Sequence, residues 1–123
     1  MSDINPHAYN QPPFATFLGM KVTEVTADRV TAELVVRDEL NNRFGIMHGG
    51  AIMALADNCG GTAASANLKE GQTTTTIESK TNFFAAIPIG DVARPNVSRC
   101  IKAAPPWSGR PVSRAMTAAC ARW

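Results

Sequence analysis

In "VTAELVVR", residues 30–37, apolar side chains recur at every second position. Val30, Ala32, Leu34 and Val36 share one face, with mostly polar residues between them. "MKVTEVTA" before it gives a second strand signal and "ADR" a turn, so the two predict an antiparallel hairpin. Upstream, "PPFATFLG" reads as a short apolar turn or helix after a proline stop, ended by Gly19. Residues 38–47 form a polar loop. From His48 the period changes: Ile52, Leu55, Ala56, Cys59 and Ala63 make a helical stripe, and the other faces are mostly small. Gly60 and Gly61 on those other faces cost roughly 1 kcal/mol each relative to Ala, so close packing is their expected purpose. "TTTTIESKTNFFAA", residues 73–86, is the longest strand signal. "IPIGD" is a turn and "DVAR" begins another strand. The order predicts an α+β fold with one helix against an antiparallel sheet.

Composition narrows the class. The chain has 123 residues, 45% apolar and 18% charged, which suits one small folded domain. No signal peptide or membrane span is readable, so a cytoplasmic address without membrane attachment is expected. Cys59, Cys100 and Cys120 form no CxxC pair, which argues against a disulfide framework or a zinc site. No phosphate loop, GxSxG or HExxH occurs, and neither metal nor cofactor is implied. Charge is uneven. Residues 1–94 hold 7 Lys/Arg against 10 Asp/Glu, whereas residues 95–123 hold 5 Lys/Arg and no acid. The basic residues of that tail are scattered among prolines, which gives a poor nucleic-acid arm, and no nucleic-acid partner is expected.

The chemistry concentrates in "NNRFGIMHGGAIMALADNCGG", residues 41–61. A helix N-terminus presents unpaired N–H groups and partial positive charge. Gly49 and Gly50 there would let a ligand oxygen approach the backbone, as in an oxyanion hole. From the residues alone, a tight loop-to-helix turn accounts for them more simply. Asp57 stands among apolar neighbours, and burying it would cost several kcal/mol unless it is paired; it would equally suit a solvent-facing position. His48 alone reads as a capping or packing residue, and Asn42 alone as a loop residue. Nine residues separate His48 from Asp57. At ~1.5 Å and ~100° per residue they lie ~13 Å apart on opposite sides of a helix. If both act on one atom, the site lies between two copies of a symmetric dimer.

The stretch resembles the hotdog-fold acyl-CoA thioesterases of the PaaI type. Their pattern is Asn, five residues, His-Gly-Gly, then a helix with an acid about two turns in. Asn42, His48, Gly49, Gly50 and Asp57 match it, and the likeness spans roughly residues 13–94. The resemblance implies an antiparallel sheet wrapped around one long central helix, assembled as a homodimer or a dimer of dimers (a homotetramer). It implies hydrolysis of aryl- or medium-chain acyl-CoA. The Gly49 N–H would polarise the thioester carbonyl, and Asp57 of the facing copy would be base or nucleophile. Asn42 would orient the water or the carboxylate, and His48 would hold the loop or the carbonyl. Gly50 would line the substrate site, and Thr76, on the long strand, would touch the water. Two other roles suit the fold: a non-catalytic acyl-CoA-binding module, and a hydroxyacyl-thioester dehydratase, which usually places His and acid differently.

After Arg94 the resemblance stops, dividing the chain into a thioesterase-like part, 1–94, and an atypical tail, 95–123. Pro95, Pro105, Pro106 and Pro111 interrupt the tail, and no run alternates cleanly, so it is not expected to supply the remaining strands. Read one base earlier in the standard code, with suitable codon choice, the tail becomes "AECVALHKGRTTMVWQTRVTRDDGRLRAL". That string has strand, Gly turn, strand, "DDG" turn and strand, like the missing end of a PaaI-type domain. Codons for Cys and Trp begin with T, so Cys100, Trp107, Cys120 and Trp123 each become apolar whatever codons were used. If the hidden frame continues Leu-Val-Thr with GTG for the Val, the bases after Trp123 read TGA. The expectation is an out-of-frame tail from about Pro95. It carries uncovered apolar surface, an open sheet edge, low stability and impaired activity.

Overall fold

The computed structural model describes residues 4–102 and 117–122. Its strands are β1 (Lys21–Val25), β2 (Arg29–Val35), β3 (Val92–Ala93), β4 (Asn96–Lys102) and β5 (Thr117–Arg122). Its α-helices are α1 (Pro13–Leu18) and α2 (Gly49–Ser65), with 3-10 turns at Pro6–Tyr9 and Asp38–Leu40. The sheet runs β1-β2-β4-β5, and β3 also pairs with β2; every pairing is antiparallel.

The β1–β2 hairpin forms as predicted, with a register shift between Val22 and Glu24. Its turn is closed by Thr26, whose hydroxyl accepts from the Arg29 N–H at 2.9 Å. Val30, Ala32, Leu34 and Val36 are each 2% exposed or less, so the period-two face is the sheet's inner face. Against it, Ile52, Leu55, Cys59 and Ala63 of α2 complete the core with Leu40, Met47, Ala93 and Val97. The helical stripe is therefore the buried stripe, except that Ala56 is half-buried and Thr62 and Ala64 join the buried set. Helix α2 packs on β2, β4 and β5, which makes it the central helix of an α+β sheet-on-helix domain.

The N-terminal segment is fastened across this core. Gly19 ends α1 with φ +82°, a left-handed conformation that suits glycine. The Arg37 guanidinium donates to the carbonyls of Leu18 and, at 2.9 Å, Phe17, satisfying the end of α1 from the end of β2. The Asn58 amide of α2 donates to Gln11 Oε1 at 2.8 Å.

Three expectations need correction. Residues 73–86 carry no strand assignment, and Ile77, Phe83 and Phe84 stand exposed. β-branched residues favour extended backbone, but a strand exists through its pairing, and no described strand is assigned alongside this segment. The tail, by contrast, supplies β4 and β5. Pro95 falls at the break between β3 and β4, where a missing N–H costs no ladder bond, while its carbonyl still accepts from the Ala32 N–H at 3.3 Å. Pro105, Pro106, Pro111, Trp107 and Trp123 lie outside the described residues. Finally, the described residues of one chain give Gly61 no close neighbour: a methyl group at that position would meet nothing within 4 Å.

Candidate active site at the start of helix α2

The loop leading into α2 is held on both sides. Asn41 bridges to Met47, Ile46 bridges to Pro88, and the Met47 N–H donates to Ile87 O at 2.8 Å. Gly45, φ +77°, turns the loop tip, and its carbonyl accepts from the Ile89 N–H at 3.2 Å. Asn42 closes the loop from within: its Oδ1 accepts from the Phe44 N–H at 2.7 Å, and its own N–H donates to Ile46 O at 2.8 Å. The backbone N–H of His48 donates to Leu40 O at 2.7 Å.

His48 is the N-cap. Its Nδ1 accepts from the Gly50 N–H at 2.8 Å, and its carbonyl accepts from the N–H groups of Ala51, at 2.9 Å, and Ile52, at 3.1 Å. With the His48 N–H on Leu40 O, the bonds from Gly50 and Ala51 bring to three the satisfied amides of the four that a helix start leaves open, the Ile52 bond being the first regular helical one. The remaining one is the Gly49 N–H, which meets no acceptor among the described residues. With Nδ1 accepting, a neutral imidazole carries its proton on Nε2.

The two glycines serve different ends. A Cβ at Gly50 would lie 3.0 Å from His48 Nδ1 and 3.3 Å from Cε1, so glycine there admits the imidazole. A Cβ at Gly49 would lie 3.4 Å from Cε1 and Cζ of Phe83, so the Phe83 ring edge reaches the open amide's own residue. Sequence reasoning missed Phe83. Its signal was the aromatic pair in "TNFFAA", read only as strand composition.

Two turns along α2, Asp57 is exposed, and its Oδ1 accepts from the Thr76 hydroxyl at 2.9 Å. The described hydrogen bonds join His48 to Gly50 and Asp57 to Thr76, and none joins His48 to Asp57. Residues 73–86 thus touch both ends of the candidate site, through Thr76 at Asp57 and Phe83 at Gly49. Cys59, on the buried side of the same helix, is not a nucleophile at neutral pH: burial pushes its thiol up to about 12. Among the described residues no group of three His, Cys, Asp or Glu side chains could hold a metal ion, and no helix is long and apolar enough to cross a membrane.

Residues 44–99 match the thioesterase superfamily. The "Putative esterase Rv1847" of Mycobacterium tuberculosis is 34% identical over 83 residues, 65% of this chain and 59% of that protein. A "Putative esterase" of Haemophilus influenzae is 31% identical over 75 residues, 61% of this chain and 54% of that protein. The chain spans about half the length of the curated relatives it matches. Among solved structures, AziG of S. sahachiroi superposes with a TM-score of 0.71 at 26% identity, covering 76% of this chain and 75% of that one. The E. coli PaaI protein, from the phenylacetic acid degradation operon, superposes with a TM-score of 0.71 at 20% identity, covering 80% and 70%, which speaks to fold alone. The sheet laid against the central helix gives this chain the hotdog fold, and its loop and helix, within residues 44–99, are similar to the thioesterase superfamily.

Proposed function

We propose that the chain is a PaaI-type thioesterase half-site that hydrolyses aryl- or medium-chain acyl-CoA to free acid and CoA. One observation carries the reading: at the start of α2 only the Gly49 N–H of the first-turn amides meets no acceptor among the described residues, and His48 holds its neighbour closed. A single amide aimed outward at a helix N-terminus suits a carbonyl oxygen gaining charge. Losing such a donor costs ~3–4 kcal/mol of transition-state stabilisation.

Asp57 supplies the second half, as general base toward water or as nucleophile. Within one chain it lies on the far side of α2 from His48, so the working pair is Gly49 of one copy and Asp57 of another. A symmetric dimer then holds two equivalent sites. Thr76 fixes one carboxylate oxygen and leaves the other for water. Asn42, whose Oδ1 is spent on the Phe44 N–H, has its side-chain amide left to orient water or carboxylate. Gly50 lines the site through the imidazole it admits.

The test is release of free thiol from a panel of acyl-CoAs by the chain and by Asp57→Asn. The variant is expected to lose about 100-fold or more in kcat, the usual contribution of a positioned acid or base. Undiminished turnover in the variant rejects the assignment. Binding without thiol release by the parent chain favours a non-catalytic module instead.

A further inference from the structure

We propose that Phe83 is the specificity-determining wall of the acyl subsite, selecting acyl groups that are flat next to the carbonyl over saturated linear ones. The inference rests on the reading of Gly49 as the carbonyl's donor. The far edge of the ring, Cε1 and Cζ, stands 3.4 Å from the position a Cβ would take on Gly49. Phe83 is 54% exposed, so a substantial part of its ring surface is uncovered, whereas Phe84, at 93%, is almost entirely free of contacts.

Chemistry sets the distances. A carbonyl oxygen accepting from the Gly49 N–H lies ~2.9 Å from that nitrogen, and the carbonyl carbon is ~1.2 Å beyond it. The first carbons of the acyl group therefore fall within ~4–5 Å of the Gly49 nitrogen, and the Phe83 ring edge stands beside the same residue. An acyl group conjugated to its carbonyl, such as benzoyl, is coplanar with it and presents a flat face or edge to the ring. Aromatic pairs of that kind gain beyond simple area burial. A saturated chain rotates about its first bonds and makes no comparable flat contact.

The experiment compares kcat/KM for benzoyl-CoA and hexanoyl-CoA in the full chain and in Phe83→Ala, Phe83→Leu and Phe83→Tyr. The benzoyl-to-hexanoyl ratio is expected to fall about 5–10-fold in Phe83→Ala and Phe83→Leu, the scale of one aromatic contact, and to persist in Phe83→Tyr. An unchanged ratio in Phe83→Ala overturns the proposal. Sedimentation is run on the same samples, and loss of self-association with an unchanged ratio overturns it by assigning the ring to a contact between copies. Should the parent chain release no thiol, the ratio is read from calorimetric affinities for the two thioesters. A shifted affinity ratio then upholds the wall while hydrolysis fails, and an unshifted ratio or no binding overturns it.

Discussion

The Thr76 hydroxyl donates to Asp57 Oδ1 at 2.9 Å, joining a loop residue and a helix residue 19 positions apart. Both side chains are exposed, so water competes for each partner and the bond adds little to stability. Its effect is directional, since one oxygen of the carboxylate is engaged and the other is left toward solvent. Thr76→Val keeps the shape and removes the donor. It is expected to lower kcat about 10-fold, the lower part of what positioning effects reach, with KM and thermal midpoint nearly unchanged. Thr76→Ser restores the donor and should restore the rate. Steady-state kinetics with a thermal melt on the same samples checks this, and a shift in KM with constant kcat would assign Thr76 to ground-state binding instead.

The His48 cap and Gly50 act as one unit. His48→Ala removes an N-cap acceptor and is expected to cost about 1 kcal/mol in chemical denaturation. Gly50→Ala drives a methyl to 3.0 Å from His48 Nδ1 and displaces the ring, although Ala is the better helix former. The sign of the Gly50→Ala effect should therefore depend on His48: destabilising with the imidazole present, neutral or stabilising once His48 is Ala. A double-mutant cycle measures this, with an expected coupling of about 1 kcal/mol, within the range for contacting residues. Additive effects would mean that the imidazole and the glycine are not coupled.

The hairpin and the helix stripe were legible because their signals are local. Val30, Ala32, Leu34 and Val36 announce a buried face by alternation, and Ile52, Leu55 and Cys59 announce one by helical spacing, whatever the partner. The candidate site residues stood out as a spacing, but not as roles. Nothing in "HGG" says that one amide is taken by the histidine and the other left open; that follows from where the imidazole sits. Residues 73–86 misled because β propensity describes what a segment fits, while pairing needs a neighbour that only the fold supplies. Tail strands β4 and β5 were missed for the opposite reason: ladder bonds are made by backbone, so an alanine-rich run such as Thr117–Arg122 can pair without an alternating pattern.

Gly61 offers a stabilising change. It lies within α2 with helical neighbours on both sides, and a methyl group there meets nothing within 4 Å. Gly61→Ala should gain about 0.5–1 kcal/mol by reducing the freedom of the unfolded chain and improving helix propensity. Thermal or urea unfolding at low protein concentration reads this out. A loss of stability that grows with protein concentration would show that a second copy packs against this side of α2.

The tail makes the most exposed prediction, because the genetic code constrains it. If residues 95–123 are read out of frame, the Ile101 codon must not be ATT, which would place a stop codon in the frame one base earlier. For the Lys in the recovered string, that codon must be ATA. For its Cys, the Asn96 codon must end in T. Physically, the change replaces Thr117–Arg122, of weak strand propensity, and removes Pro95, which stands between β3 and β4. A chain with residues 95–123 exchanged for the recovered string should unfold more cooperatively. Its thermal midpoint should lie higher by about 5 °C or more, the shift that roughly 1 kcal/mol brings in a domain of this size. Turnover should rise with it, since residues 73–86 would gain a strand to pair with and would hold Thr76 and Phe83 in place. Sequencing the coding DNA decides the frame, and the exchanged chain separately decides the physics. Codons incompatible with the string end the first claim, and an unchanged midpoint ends the second.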